Sequence, residues 1–302
     1  MSGSKPDHAQ GEEATSRRAG FEHLLIGFDG SDGGRDALEL GRVLAAPDDA
    51  EFLVVTVFPY GPFPIGFVAL QEEAARDAQP LFAEAREVLG EHALDTQAFG
   101  GGSPAWVMNN LAEEGTADLI VVGSPHRGPV GRVLLGSVAM SLLHGSPCPV
   151  AVAPRGFATE RHDSPLGVIA VAYDGTDESK TALSRAEALA ESSGASLRLL
   201  TVVGPLQIIP GAAGYVPAVQ PQPEKILSGG LAAIRPKVQA EGQRLDGPPA
   251  PTLAAACEDD VDLLVVGSRG YGPTMRVFLG SVSAELIGSA PCPVLVTPRS
   301  VE

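Results

Sequence analysis

A long internal repeat constrains the fold of this chain more than any other feature of its sequence. LLIGFDGSDGGRDAL, from Leu24 to Leu38, aligns with VIAVAYDGTDESKTAL, which begins at Val168 and sets Asp174 opposite Asp29. The same offset pairs Val57 with Val202 and Pro104-Ala105 with Pro249-Ala250. After the loss of one residue, ADLIVVGS at 117–124 meets VDLLVVGS at 261–268. VLLGSVAMSLLHGSPCPVAVAP and VFLGSVSAELIGSAPCPVLVTP then match without a gap. Two similar domains follow, and 302 residues give each enough chain for its own core. Their expected bounds are 21–154 and 167–299, with a polar, Pro- and Gly-bearing linker at 155–166.

Within each half, short aliphatic runs alternate with longer segments whose apolar residues recur at helical spacing. Strands are expected near 22–28, 51–58, 94–99, 117–122 and 149–153, and again near 167–173, 196–203, 237–244, 261–266 and 293–297. Ala37, Leu40, Gly41 and Leu44 share one helical face, and Ala182, Leu183, Ala186, Leu189 and Ala190 share its counterpart. Ser31 and Thr176 are placed to cap these helices. Hydrophobic residues are 44% of the chain and aromatics only 5%, so the core is aliphatic, as in parallel sheets rather than aromatic-rich sandwiches. The expected class is α/β: two tandem doubly wound five-stranded parallel sheets with helices on both faces.

A formal charge of -16 repels polyanions and argues against a nucleic-acid partner. Residues 1–20 lack the apolar stretch of a secretory signal and read as a disordered tail. No run reaches the length of a membrane span, and three cysteines make a poor disulfide framework, so no membrane role and a cytoplasmic location are expected. No CxxC or HxxxH spacing supports a protein-held metal. The DGSD at 29–32 lacks the later ligands of a calcium loop. Cys148, Cys257 and Cys292 read as small buried hydrophobes. Two loops, 60–67 and 204–223, are apolar yet rich in Pro and Gly. They read as packed surface loops or, alternatively, as a lid or subunit contact.

Open parallel sheets bind ligands outside the carboxyl ends of their strands. Two features of each half fall there. One is the Asp that closes the first strand, Asp29 or Asp174. The other follows the fourth strand: Gly267-Ser268-Arg269-Gly270, nine residues, then Gly280-Ser281 at a helix start. Glycines let backbone amides approach an anion, and a helix N-terminus directs free N–H groups at it. The same residues could equally form only a turn and a cap. Arg132 and Arg276 sit at matching places in the spacers, either reaching phosphates or solvated at the surface.

The GxxG, nine residues, G(S/T) pattern after an aliphatic strand, with PCPVLV as the closing strand, resembles the nucleotide-binding type of universal stress protein. The resemblance covers nearly all of residues 22–298, twice. It implies strand order 3-2-1-4-5 in each domain, ATP at the junction of strands one and four with Mg carried by the phosphates, and a homodimer through the fifth strands. By position, Asp174 would contact the adenosine and the backbone of Val202 the adenine edge. Gly267, Gly270, Gly280 and Ser281 would line the phosphates. Asp29, Val57, Gly123, Gly136 and Ser137 are the matching residues of the first half. His126 departs from the pattern, standing where the second glycine belongs. It would either donate to a phosphate or fill its space, and the first site is expected to be the weaker.

The function so implied is that of a nucleotide-dependent stress-response or signalling module, with an unnamed protein partner and no catalysis. The alternative is a slow ATPase. Neither half has a GxxxxGK[ST] lysine or a residue nominated to position water. The absence of a GxSxG elbow argues against a hydrolase.

Overall fold

Alternation of buried aliphatic runs with amphipathic helices produces a wound α/β chain. The computed structural model describes residues 20–47, 50–59, 67–90, 92–115, 117–125, 136–160, 166–204, 222–268 and 281–298. The expected tail at 1–20 lies outside them except for Gly20, as does most of both Pro- and Gly-rich loops.

In the first half, β1 (His23–Gly27) leads through α1 (Asp32–Leu44) to β2 (Glu51–Phe58). Two helices follow, α2 (Phe67–Asp77) and α3 (Gln79–Leu89), then β3 (Ala93–Gly100), α4 (Pro104–Glu114), β4 (Leu119–Gly123), α5 (Ser137–Leu142) and β5 (Val150–Ala153). The second half repeats the plan: β6 (Val168–Ala172), α6 (Asp177–Ser193), β7 (Ser196–Val203), α7 (Pro223–Ala233), β8 (Ala240–Asp246), α8 (Pro249–Ala255), β9 (Leu263–Gly267), α9 (Ser281–Ile287) and β10 (Val294–Thr297). The strand expected at 237–244 begins later, because Pro236 stands in a turn that Val238 closes by donating to Arg235 O at 3.0 Å. Both odd loops end sooner than expected, since Phe67 and Pro223 already open helices.

The strand order is β3-β2-β1-β4-β5-β10-β9-β6-β7-β8. Each half therefore has the order 3-2-1-4-5, and the two sheets are joined into one. The join is antiparallel: Val294 faces Val152, Leu295 faces Ala151 and Val296 faces Val150. All other pairings among the described strands are parallel. This corrects the homodimer through fifth strands. VAVA and VLVT are buried along their whole length, and each satisfies the other's edge within one chain.

The core crosses the join on both faces of the sheet. On one face Leu24, Ile26, Leu38, Ala151, Ile169, Ala186 and Leu295 belong to a single apolar cluster. On the other, Leu25, Met108, Leu142, Val152, Leu253, Leu286 and Val294 form a second. At the amino end of the sheet, Asp118 accepts from the Glu22 and His23 N–H groups at 3.0 Å each, tying the start of β4 to that of β1. Asp262 does the same for Gly167 and Val168 at 2.8 Å. Burial pushes the Asp118 carboxyl above the usual range, against those hydrogen bonds and Arg185. Arg185, on α6 of the second half, lies with its guanidinium 5.0 Å from the Phe21 ring centroid in the first. Burial lowers its pKa, and Asp118 partly restores it.

Candidate functional site

β1 and β4 lie side by side, yet the chain leaves them toward opposite edges of the sheet, and it is beyond the carboxyl ends at such a switch point that open α/β sheets place their ligand crevice. β6 and β9 form the matching junction in the second half. In both, the first strand ends in an Asp-Gly turn. Asp29 Oδ1 accepts from Ser31 N at 3.0 Å, and Asp174 Oδ1 accepts from Thr176 N at 3.0 Å and Thr176 Oγ1 at 2.5 Å. Gly30 and Gly175 follow with φ of 78° and 80°, a conformation that a side chain would strain. Ser31 and Thr176 then cap α1 and α6, accepting from Gly34 N at 3.1 Å and Ser179 N at 3.3 Å. The Asp29 and Asp174 side chains remain exposed at the mouth of each crevice.

Val57 and Val202 lie near the ends of β2 and β7, half-buried. Phe28 N donates to Val55 O at 2.9 Å, so Val55 turns its backbone toward β1. Backbone groups alternate sides along a strand, so Val57 points the same way, where β1 has already turned off. Tyr173 N and Leu200 O, 2.9 Å apart, place Val202 alike. Thr56 and Thr201 hold these turns from below, donating to Phe28 O at 2.7 Å and Tyr173 O at 2.6 Å. Sequence reasoning did not single out this pair, although a Thr at the same place in both repeats was the available signal.

Gly123 and Gly267 end β4 and β9. A Cβ at Gly267 would fall 2.6 Å from Glu178 O, and one at Gly123 would collide with the Gly33 carbonyl. Helix packing thus demands both glycines, as the first turns of α6 and α1 press on the strand ends. Gly136 precedes α5 with an ordinary φ of -77°, and among the described residues a Cβ there would lie nearest to Pro125, at an ordinary 3.5 Å. Ser137 and Ser281 are the first residues of α5 and α9. His126, Gly270, Gly280, Arg132 and Arg276 lie outside the described residues.

The two crevices also differ at the ends of their fourth strands. Ser124 Oγ donates to Ala153 O at 2.7 Å, whereas the equivalent Ser268 Oγ is buried without a hydrogen-bond partner among the described residues. Thr297 stands where the first half has Ala153, and its hydroxyl donates to Val266 O at 3.4 Å. An unpaired buried hydroxyl costs about 1–3 kcal/mol, so the Ser268 hydroxyl has a hydrogen bond to gain from a group beyond the described residues. Sequence reading treated it only as part of the glycine turn.

Among the described residues, no cluster of three or more His, Cys, Asp or Glu could hold a metal ion, and no helix is long and apolar enough to cross a membrane. Over 92% of its length this chain superposes on 96% of a universal stress protein from Archaeoglobus fulgidus, with a TM-score of 0.65 at 22% identity. It is 32% identical to a universal stress protein of Mycolicibacterium smegmatis over 91% of this chain and 97% of that one. A Mycobacterium tuberculosis universal stress protein is 31% identical, over 76% of this chain and 80% of its own length. The universal stress protein family model matches twice, at residues 20–154 and 166–298. With both halves of its sheet accounted for by that family, the chain belongs to the universal stress proteins as a tandem member.

Proposed function

We propose that each crevice binds an adenine nucleotide, ATP with its magnesium, and that the chain acts as a nucleotide-dependent module in stress response or signalling rather than as an enzyme. The observation that carries this reading is the duplicated convergence of Asp29, Val57 and Gly123, and of Asp174, Val202 and Gly267, on the ends of three neighbouring strands. The carboxylate suits ribose hydroxyls, and the outward backbone of Val57 or Val202 suits the hydrogen-bonding edge of a base. The unpaired Ser268 hydroxyl fits a polar group brought into the second crevice. Gly136-Ser137 and Gly280-Ser281 supply the phosphate side by the family motif. Hydrogen bonds to charged groups contribute about 1.5–3 kcal/mol each, so three or four suffice for roughly micromolar affinity. Magnesium reaches this site as an ion carried by the phosphates. Nucleotide occupancy then biases the choice of a protein partner.

The second half is the stronger site in this reading, because His126 replaces the glycine that Gly270 supplies there. The test is to denature purified protein, identify released nucleotide by mass spectrometry, and follow ATP in the native protein over hours. Retained, intact ATP supports a binding module, and ADP appearing at a steady rate supports a slow ATPase. Calorimetry on nucleotide-free protein should resolve a strong and a weak site, with His126→Gly tightening the weak one. Protein that neither releases nucleotide nor is stabilised by saturating ATP and magnesium would refute the proposal.

A further inference from the structure

The chain carries three cysteines, and two of them meet in the second half. Cys257 lies in the turn that follows α8, and Cys292 lies two residues before β10. They are 2% and 3% exposed and share one apolar cluster, in which the Cys257 thiol adjoins that of Cys292. The first half has no such pair: Cys148 matches Cys292, but Ala112 occupies the place of Cys257. Cys148 instead sits beside Ser146, with Oγ 3.9 Å from its sulfur.

We propose that Cys257 and Cys292 are an oxidisable dithiol, which a hydroperoxide converts to a disulfide linking the end of α8 to the start of β10. The inference stands independently of nucleotide binding. Local geometry sets the order of events. The turn carrying Cys257 is held by single-turn bonds, Cys257 N to Ala254 O at 3.1 Å and Glu258 N to Ala255 O at 3.3 Å, after a helix of only seven residues. Such a turn opens locally at far lower cost than the sheet. Cys292 is anchored instead, because Leu264 N donates to the neighbouring Pro293 O at 2.9 Å within the β9–β10 ladder. The adjoining thiol and burial both push the Cys292 thiol up, which keeps it protonated.

Cys257 therefore reacts first. Its thiolate attacks one peroxide oxygen and breaks the O–O bond, giving a sulfenic acid and releasing the other oxygen as water. When the turn closes, the Cys292 sulfur attacks the Cys257 sulfur, and the proton that Cys292 has kept passes to the departing sulfenic oxygen, which leaves as a second water. Two thiols and one hydrogen peroxide yield one disulfide and two waters, with both electrons passing from sulfur to peroxide. The closed loop encloses β9, with Gly267 at its end, and α9, so oxidation ties the chain before β9 to the chain after α9.

The test uses the full-length reduced protein, exposed to hydrogen peroxide in urea below the unfolding transition, where the α8 turn opens. The thiols are then blocked in denaturant and the tryptic peptides weighed. The expected result is a fall from three titratable thiols to one, a Cys257–Cys292 cross-linked peptide two mass units below the sum of its parts, and Cys148 fully alkylated. Because the cross-link is read in the unmodified protein, the result does not depend on a variant folding. Cys257→Ala, which copies the first half, should keep both of its thiols after the same treatment, and Cys148→Ala should lose both. Three thiols remaining, oxidation of Cys257 or Cys292 to sulfinic or sulfonic acid without linkage, or any other disulfide would overturn the proposal.

Discussion

The carboxylate of Asp36, on α1 and 1% exposed, accepts from the backbone N–H of Gly156 at 2.9 Å, well beyond the end of β5. Its other oxygen accepts from Ala158 N at 2.8 Å, and Phe157 between them is buried in the core. The first part of the segment expected to serve as a polar linker is thus folded down on the first half, as a 3-10 turn at Phe157–Thr159. Asp36→Asn should cost about 2 kcal/mol, because its NH2 group would face one of two N–H donors. Urea denaturation should show a lower midpoint with an unchanged slope. A loss below about 0.5 kcal/mol would place it with ordinary surface substitutions and show that the anchor contributes little.

Glycines in the two crevices should separate by role. Gly123→Ala forces a Cβ onto the Gly33 carbonyl, and Gly267→Ala forces one to 2.6 Å from Glu178 O, so each should destabilise by about 2–3 kcal/mol. Among the described residues, the added Cβ of Gly136→Ala comes nearest to Pro125, at an ordinary distance, and the change should alter stability by less than about 0.5 kcal/mol. A fall in nucleotide affinity for Gly136→Ala, with its melting temperature unchanged, would mark a ligand role. Equal destabilisation by all three would contradict the packing account.

Alkaline stability should depend on Cys148. Burial pushes its thiol up to about 12 from an ordinary value of 9.0. The folded protein holds that proton across the interval in which the unfolded chain has released it, so this stabilisation is intact below about pH 9 and is lost as pH rises toward 12. The slope reaches about 1.4 kcal/mol per pH unit for one thiol. Chemical denaturation from pH 8 to 11 should therefore show a shallower decline in Cys148→Ala than in the unmodified protein. Parallel curves would mean that the thiol is far less shielded than its burial implies.

The antiparallel β5–β10 pairing should not depend on protein concentration. Amides of 150–153 and 294–297 should stay protected from hydrogen exchange over a hundredfold dilution, because both strands belong to one polypeptide. Protection that falls on dilution would instead require pairing between copies.

Much of this arrangement was legible in the sequence because its signals are local. Aliphatic runs such as LIVVG and LLVVG, caps such as Ser31 and Thr176, and the Asp-Gly turns at 29 and 174 are read within a few residues. Features that stayed hidden are long-range pairings. Asp36 on Gly156, Gly33 on Gly123, and Arg185 beside Asp118 and Phe21 each join residues whose proximity only the folded sheet creates. A fully buried VAVA also announces that β5 needs neighbours on both sides, but not that one of them is VLVT of the same chain. In the candidate site, the turn carboxylates and strand-end glycines were readable from the repeat. The Ser268 hydroxyl, buried without a hydrogen-bond partner among the described residues, was not, because its surroundings are set by the folded strand ends and not by its neighbours in sequence.

Joining the fifth strands inside one polypeptide also alters what each half is free to become. Two copies of a single-domain chain must share every residue, so a change useful in one copy is imposed on the other. Here the partners are encoded separately and always produced in equal number. Matched positions have parted accordingly: His126 against Gly270, Ala112 against Cys257, Ala153 against Thr297. Covalent tethering lifts that enforced symmetry, so a residue in one half can change while its counterpart in the other is kept.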